Sequence, residues 1–204
     1  SCQGTFTIQD NATFTYTNLL RLARNSGNIG TANLNGGIVA VKGFERQLGT
    51  GTLNANGGSV RALANSSDYF SNFTGTGGNN SVNLQTGGLT FDTGSFTVTV
   101  GNVLSGAGGL TKIGNGTLYL NGANAYTGAT LVNAGTLGGN GTIAGALTVT
   151  ASATLAPGTS IGTLTLGAEP LLSGTLLIEL NRTNAQTADK LVLASGTLTN
   201  AGTL

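Results

Sequence analysis

Apolar and polar residues alternate along most of this chain in short runs, and each run stops at Gly or Asn. Residues 5–8 (TFTI) and 12–17 (ATFTYT) open the pattern, and residues 31–34, 38–41 and 51–53 continue it beside Gly pairs or Asn. From residue 81 it tightens, through 82–84, 89–91, 96–100, 110–113, 117–120, 130–132 and 136–137. It continues through 142–143, 146–150, 154–155, 163–166, 174–180, 190–193 and 197–198. Strict alternation is the period of a strand that buries one face. Successive runs lie about 6–12 residues apart, so three strands and three turns make a rung of about 18–24 residues. That spacing predicts about nine to eleven stacked rungs, a rod of about 45–50 Å at the ~4.8 Å spacing of paired strands. The expected fold class is all-β, a parallel β-helix in which each rung buries its inward side chains against the next. Residues 1–80 are the less regular part and residues 81–204 the regular repeats of one continuous solenoid.

Two segments interrupt the alternation. Residues 19–25 (LLRLARN) fit either a short helix or a capping turn at a strand edge. Residues 65–73 (NSSDYFSNF) read as a loop or single helical turn whose Tyr69, Phe70 and Phe73 close over the core, with a sugar-stacking patch as the alternative. Asn at equivalent corners is expected to stack into amide ladders.

Composition supports this picture. Gly is 35 of 204 residues while Pro is only 2, which excludes collagen and polyproline rods. Charged residues are 7% and the net charge is +1, against an apolar fraction of 39%; disorder needs the opposite balance. The eight Lys and Arg are scattered, so no basic stripe points to nucleic acid. No apolar run is long enough for a membrane helix. The chain begins at Ser1-Cys2 without a signal peptide and stops within a repeat phrase, so it reads as a mature or excised part of a longer protein.

Little catalytic chemistry is available. There is no His and one Cys, Cys2, which removes His-based triads, the usual zinc sites and an intrachain disulfide. No cofactor or metal is expected. The seven acids are Asp10, Glu45, Asp68, Asp92, Glu169, Glu179 and Asp189. A β-helix polysaccharide lyase or glycosidase needs carboxylates gathered on one face, and only Glu179 with Asp189, near Arg182 and Lys190, have a spacing that allows it. Tyr16, Tyr119 and Tyr126 are candidates for stacking on sugars, with structural packing at a turn as the other reading of Tyr126.

Residues 109–137, GLTKIGNGTLYLNGANAYTGATLVNAGTL, carry the most specific pattern. Gly109, Leu110, Thr111, Lys112, Gly114, Gly116, Thr117, Leu118 and Leu120 form its first phrase. Asn124, Tyr126, Thr127 and Gly128 follow, then Thr130, Val132, Asn133, Gly135, Thr136 and Leu137. This stretch resembles the passenger-associated transport repeat, also called the autotransporter-associated β-strand repeat. Residues 139–166 and the phrase 189–192 resemble passages that accompany it. The resemblance covers residues 81–204 closely and the first 80 in style. It implies a right-handed parallel β-helix displayed outside a bacterial cell, with these motif residues structural. The family's β-barrel translocator is not in this chain. The implied function is non-catalytic: an extracellular stalk or adhesin segment, or a surface fibre subunit that self-associates end to end. The expected partners are host or matrix glycans or proteins.

Overall fold

The computed structural model describes residues 2–181 and 186–203, and in them the chain is all β, without a helix. Strands pair in parallel with their equivalents one turn away, in sheets of 13, 5 and 3 strands. One ladder runs from residues 13–16 through 38–41, Gly58–Ala62, Leu89–Asp92, Leu110–Ile113, Thr130–Val132, Leu147–Val149 and Leu171–Leu172 to Thr199–Asn200. These nine stacked positions make a parallel β-solenoid of about eight turns, fewer than the nine to eleven expected. The step is less even than the sequence suggests, from 17 residues between Leu131 and Thr148 to 31 between Arg61 and Asp92. At ~4.8 Å per turn the rod is about 38 Å long.

The first two turns differ from the rest. Gln3–Leu22 and Ile29–Arg46 are strands of 20 and 18 residues, where the alternation predicts several short ones. The chain bends at Gly36 (φ 106°), Gly37 (φ 65°) and Asp10 (φ 56°), where the ladder shifts register after Asp10 and Gly36 and resumes at Thr13 with Ile38. Residues 19–22 belong to the first strand, so the strand-edge reading of 19–25 holds and the helix does not form. Tyr69, Phe70 and Phe73 are fully buried with Phe44 and Phe91, and the Tyr69 and Phe91 rings lie 4.9 Å apart. A sugar-stacking role for that segment is therefore excluded. Its Ser66 bridges to Val98, and residues 70–71 form a short strand.

The core is a set of inward columns, one side chain per turn. Ala32, Leu53, Val82 and Leu104 form one, and Leu34, Ala55 and Leu84 another. Outward positions carry Thr, Ser and Asn. Asn33, Asn54 and Asn83 stack into an amide ladder, each donating to the one before at 3.0 and 3.2 Å, and Ser105 closes it at 3.0 Å. The expected amide ladder thus exists, on a strand face rather than at a corner. Corner Asn side chains do something else: Asn56, Asn65, Asn121 and Asn140 accept from the backbone amides of Gly87, Thr97, Asn140 and Thr163 on the neighbouring turn, at 2.9 to 3.0 Å.

Where corners stack, the backbones touch. A methyl on Gly116 would lie inside the Phe96 carbonyl, and one on Gly135 (φ 69°) inside the Gly116 carbonyl. Gly101, by contrast, faces open space. Gly116→Ala is expected to cost about 2 kcal/mol, from overpacking against rigid backbone. In thermal unfolding followed by circular dichroism that is a fall of about 4–8 °C for a chain of this size. Gly101→Ala should leave the midpoint within about 2 °C, its strain-free surface position being near neutral.

Candidate functional site

The motif at 109–137 folds onto itself. Its strand Leu110–Ile113 pairs with its own Thr130–Val132, and Thr117–Leu120 with Gly135–Gly139. The phrase therefore contains two consecutive levels of the solenoid, and its near-repetition is what lets one level seat on the next. Leu110, Leu118, Leu120, Tyr126, Thr130, Val132 and Leu137 point inward and are buried, while Thr111, Thr117 and Thr136 stand half-exposed outside. Gly109, Gly114 (φ 80°) and Gly128 lie at stacked corners. Thr127 is exposed and its amide donates to Gly106 of the turn below at 2.9 Å. The carbonyl of Asn133 accepts from the Thr150 and Ser152 hydroxyls of the turn above, at 3.0 and 2.7 Å.

Lys112 is the unusual member. Strand alternation puts it in phase with Leu110, and it occupies an inward column between Phe91 below and Val132 above. It is fully buried. The stem replaces an aliphatic side chain, and the ammonium turns into the corner. There Nζ donates to the carbonyls of Ile113 (3.1 Å), Gly114 (2.7 Å) and Ala134 (3.0 Å). Three donors meet three acceptors, so the charge is solvated by backbone from two successive turns. Burial pulls its pKa down to about 8, with the Asp92 carboxylate opposing.

Asn124 and Tyr126 secure the next corner. Asn124 Oδ1 accepts from the Leu104 amide at 2.9 Å. Tyr126 is fully buried, with its hydroxyl 2.6 Å from Thr130 Oγ1. It is therefore no sugar platform, and burial drives its pKa up while the Thr130 bond opposes. Tyr119 is half-buried and Tyr16 exposed.

The acids do not assemble. Asp189 is buried, but its oxygens accept from the amides of Gly162 (2.9 Å) and Glu179 (2.8 Å), so it ties backbone together rather than facing the Glu179 carboxylate. Arg182, proposed as their neighbour, lies outside the described residues. Asp92 pairs with Arg61 at 2.8 Å and Glu45 with Arg21 at 2.6 Å. Among the described residues there is no group of three or more His, Cys, Asp or Glu that could hold a metal, and no helix long and apolar enough to cross a membrane.

Sequence reasoning named Lys112 only as a motif residue; the alternation from Leu110 is the signal that its side chain turns inward. Lys112→Ala is expected to cost about 2–4 kcal/mol, by leaving a cavity and unpaired carbonyls. Stability should also respond to pH. The native amine releases its proton near pH 8, and the unfolded one only near its ordinary value of 10.5. Between those values the unfolded chain binds more protons, so stability rises with pH. Denaturant titrations across that window should show wild type gaining on Lys112→Ala; a constant difference contradicts the buried ammonium.

Comparison with known proteins bears on the same stretch. Residues 110–138 match the model of the passenger-associated-transport-repeat family. The chain is similar to the Adhesin BmaC autotransporter of Brucella suis biovar 1 (strain 1330), with 33% identity over 109 residues, 48% of this chain. It spans only 3% of that relative's length. No solved structure matches the chain. Residues 110–138, which the fold stacks into two successive levels of the solenoid, are a passenger-associated transport repeat.

Proposed function

We propose that this chain is a non-catalytic segment of a bacterial protein exported to the cell surface, where the solenoid acts as a rigid adhesin stalk. The observation that carries this reading is the transport repeat built in register into a continuous β-solenoid. The relative named as an autotransporter adhesin supports it. The outer surface also fits: Thr, Ser and Asn dominate it, and few charges interrupt it. The finer architecture we propose is a right-handed coil, the hand taken by parallel crossovers, with three short strands per turn. Residues 1–80 form its irregular part and 81–204 its regular part, with the motif residues structural. Host or matrix glycans or proteins are the partners.

A second reading is a fibre subunit. Among the described residues the strand Gln3–Leu22 pairs on one side only, and Leu177, Leu180 and Leu198 are exposed near the opposite end. Unpaired parallel edges accept another turn, whether from a longer chain or from a second copy, and a contact that does not close makes a filament.

Two measurements test these readings. Beads coated with the folded chain should bind cultured host cells or extracellular matrix above beads coated with the heat-unfolded chain; equal binding overturns the adhesive role. Electron microscopy of concentrated, undenatured chain should show isolated rods about 38 Å long if it is a stalk segment. Filaments with that rise make it a fibre subunit instead.

A further inference from the structure

Near the first corner of the solenoid, Arg24, Arg46, Gln47, Leu48 and Asn72 line an open concavity of about 490 Å³. Its geometry is built rather than incidental. Arg46 Nε donates to the Asn72 carbonyl at 2.6 Å, and its Nη1 donates to the carbonyls of Gln47 and Gly49, each at 3.0 Å. Asn72 returns a bond from Nδ2 to the Arg46 carbonyl at 3.1 Å. These bonds use three of the five guanidinium N–H groups and leave both on Nη2 without an acceptor among the described residues. The guanidinium is thus fixed in place and enters no ion pair among the described residues, where the pairs are Arg21 with Glu45 and Arg61 with Asp92; the Glu45 carboxylate is engaged by Arg21 and accepts from Gln47 Nε2 at 3.3 Å. Arg24, on the same wall, is exposed and has no ion-pair partner among them either.

The backbone here is strained. Only four non-glycine residues among those described have positive φ, and two belong to this corner: Ala23 (φ 53°), which turns Arg24 out of the strand, and Asn72 (φ 66°). Such strain collects where a surrounding structure holds side chains for a purpose. Leu48, 76% exposed beside the two arginines, adds an apolar contact.

We propose that this concavity binds an acidic glycan, a carbohydrate bearing carboxylate or sulfate ester groups. A fixed guanidinium with two unspent donors matches the paired oxygens of either group. Arg24 supplies a second charge, Leu48 packs against the C–H face of the sugar ring, and Gln47 and Asn72 lie within the same wall to meet hydroxyls. Nucleic acid fits less well, because the remaining Lys and Arg do not extend these two into a basic track. The proposal rests on the adhesin reading, which brings the site to extracellular glycans.

The test uses titration calorimetry of the intact chain with a heparin tetrasaccharide, an unsulfated oligogalacturonate of equal length and a neutral dextran oligomer. Arg24→Gln and Leu48→Asp are the variants, since neither side chain holds the fold together; circular dichroism confirms that each remains folded. Binding of one or both acidic oligomers, and not dextran, is expected. Arg24→Gln should weaken it about tenfold, the effect of one charge-assisted bond, and Leu48→Asp at least as much. Preference for heparin identifies the sulfate ester and preference for galacturonate the carboxylate. Absence of binding at low salt, or binding that both variants leave unchanged, overturns the proposal. The bead assay separates the two failures: if both variants adhere to cells like wild type, this site is rejected while the adhesin reading stands.

Discussion

Everything in this chain follows from stacking one turn of backbone on the next at the spacing of paired strands, ~4.8 Å. At that distance two corners meet with no room for a side chain between them, so corners carry glycine, as at Gly116 over Phe96 and Gly135 over Gly116. Between corners, every second residue points into a column where it touches its own equivalents, and Leu, Val and Ala fill these columns. No single turn buries its own side chains, so stability comes from the contact of neighbours along the rod. The motif at 110–138 contains such a contact in full, because it pairs with itself in two ladders.

A nearly uncharged rod must still satisfy the polar groups at its corners. Backbone bonds between turns meet most of that demand, and Asn side chains add to them, accepting the amide of the adjacent turn at Gly87, Thr97, Leu104, Asn140 and Thr163. Lys112 meets it with charge, binding carbonyls of two turns from within the core. Asp189 does so with the opposite sign, joining the Gly162 and Glu179 amides. Arg46 follows the same pattern at its corner, but spends only part of its donors there. That residue of unspent charge separates a purely structural clamp from a surface able to recognise something.

Much of this was legible in the sequence. Alternation located most strands and the glycine corners, and the aromatic segment at 69–73 was correctly expected in the core. The failures have physical causes. Leu104–Ser105 and Leu171–Leu172 are only two residues long, and in Gly58–Ala62 the charge of Arg61 breaks the apolar look of the strand. The two opening strands were divided, the first at Gln9–Asn11 and the second at Gly36–Gly37, where the chain bends and the ladder shifts register before it resumes. Turns were overcounted because loops lengthen some of them to about thirty residues, as between Arg61 and Asp92. Tyr126, by contrast, packs at a turn as the motif leads one to expect, with an inward partner for its hydroxyl in Thr130. The corner at Arg24, Arg46 and Asn72 left no linear trace, since residues 24, 46 and 72 meet only after the chain has coiled.

The central claim is the register in which one turn seats on the next, and disulfide trapping reads it directly. With Cys2 replaced by Ser, Thr117→Cys and Thr136→Cys place two thiols on the same outer face of paired residues in adjacent strands, within the reach of a disulfide. Thr117→Cys with Leu137→Cys places one thiol outside and one in the core. The solenoid predicts rapid oxidative cross-linking of the 117/136 pair and none of the 117/137 pair. Equal or reversed cross-linking in the folded chain would contradict the stacking from which the rest is derived.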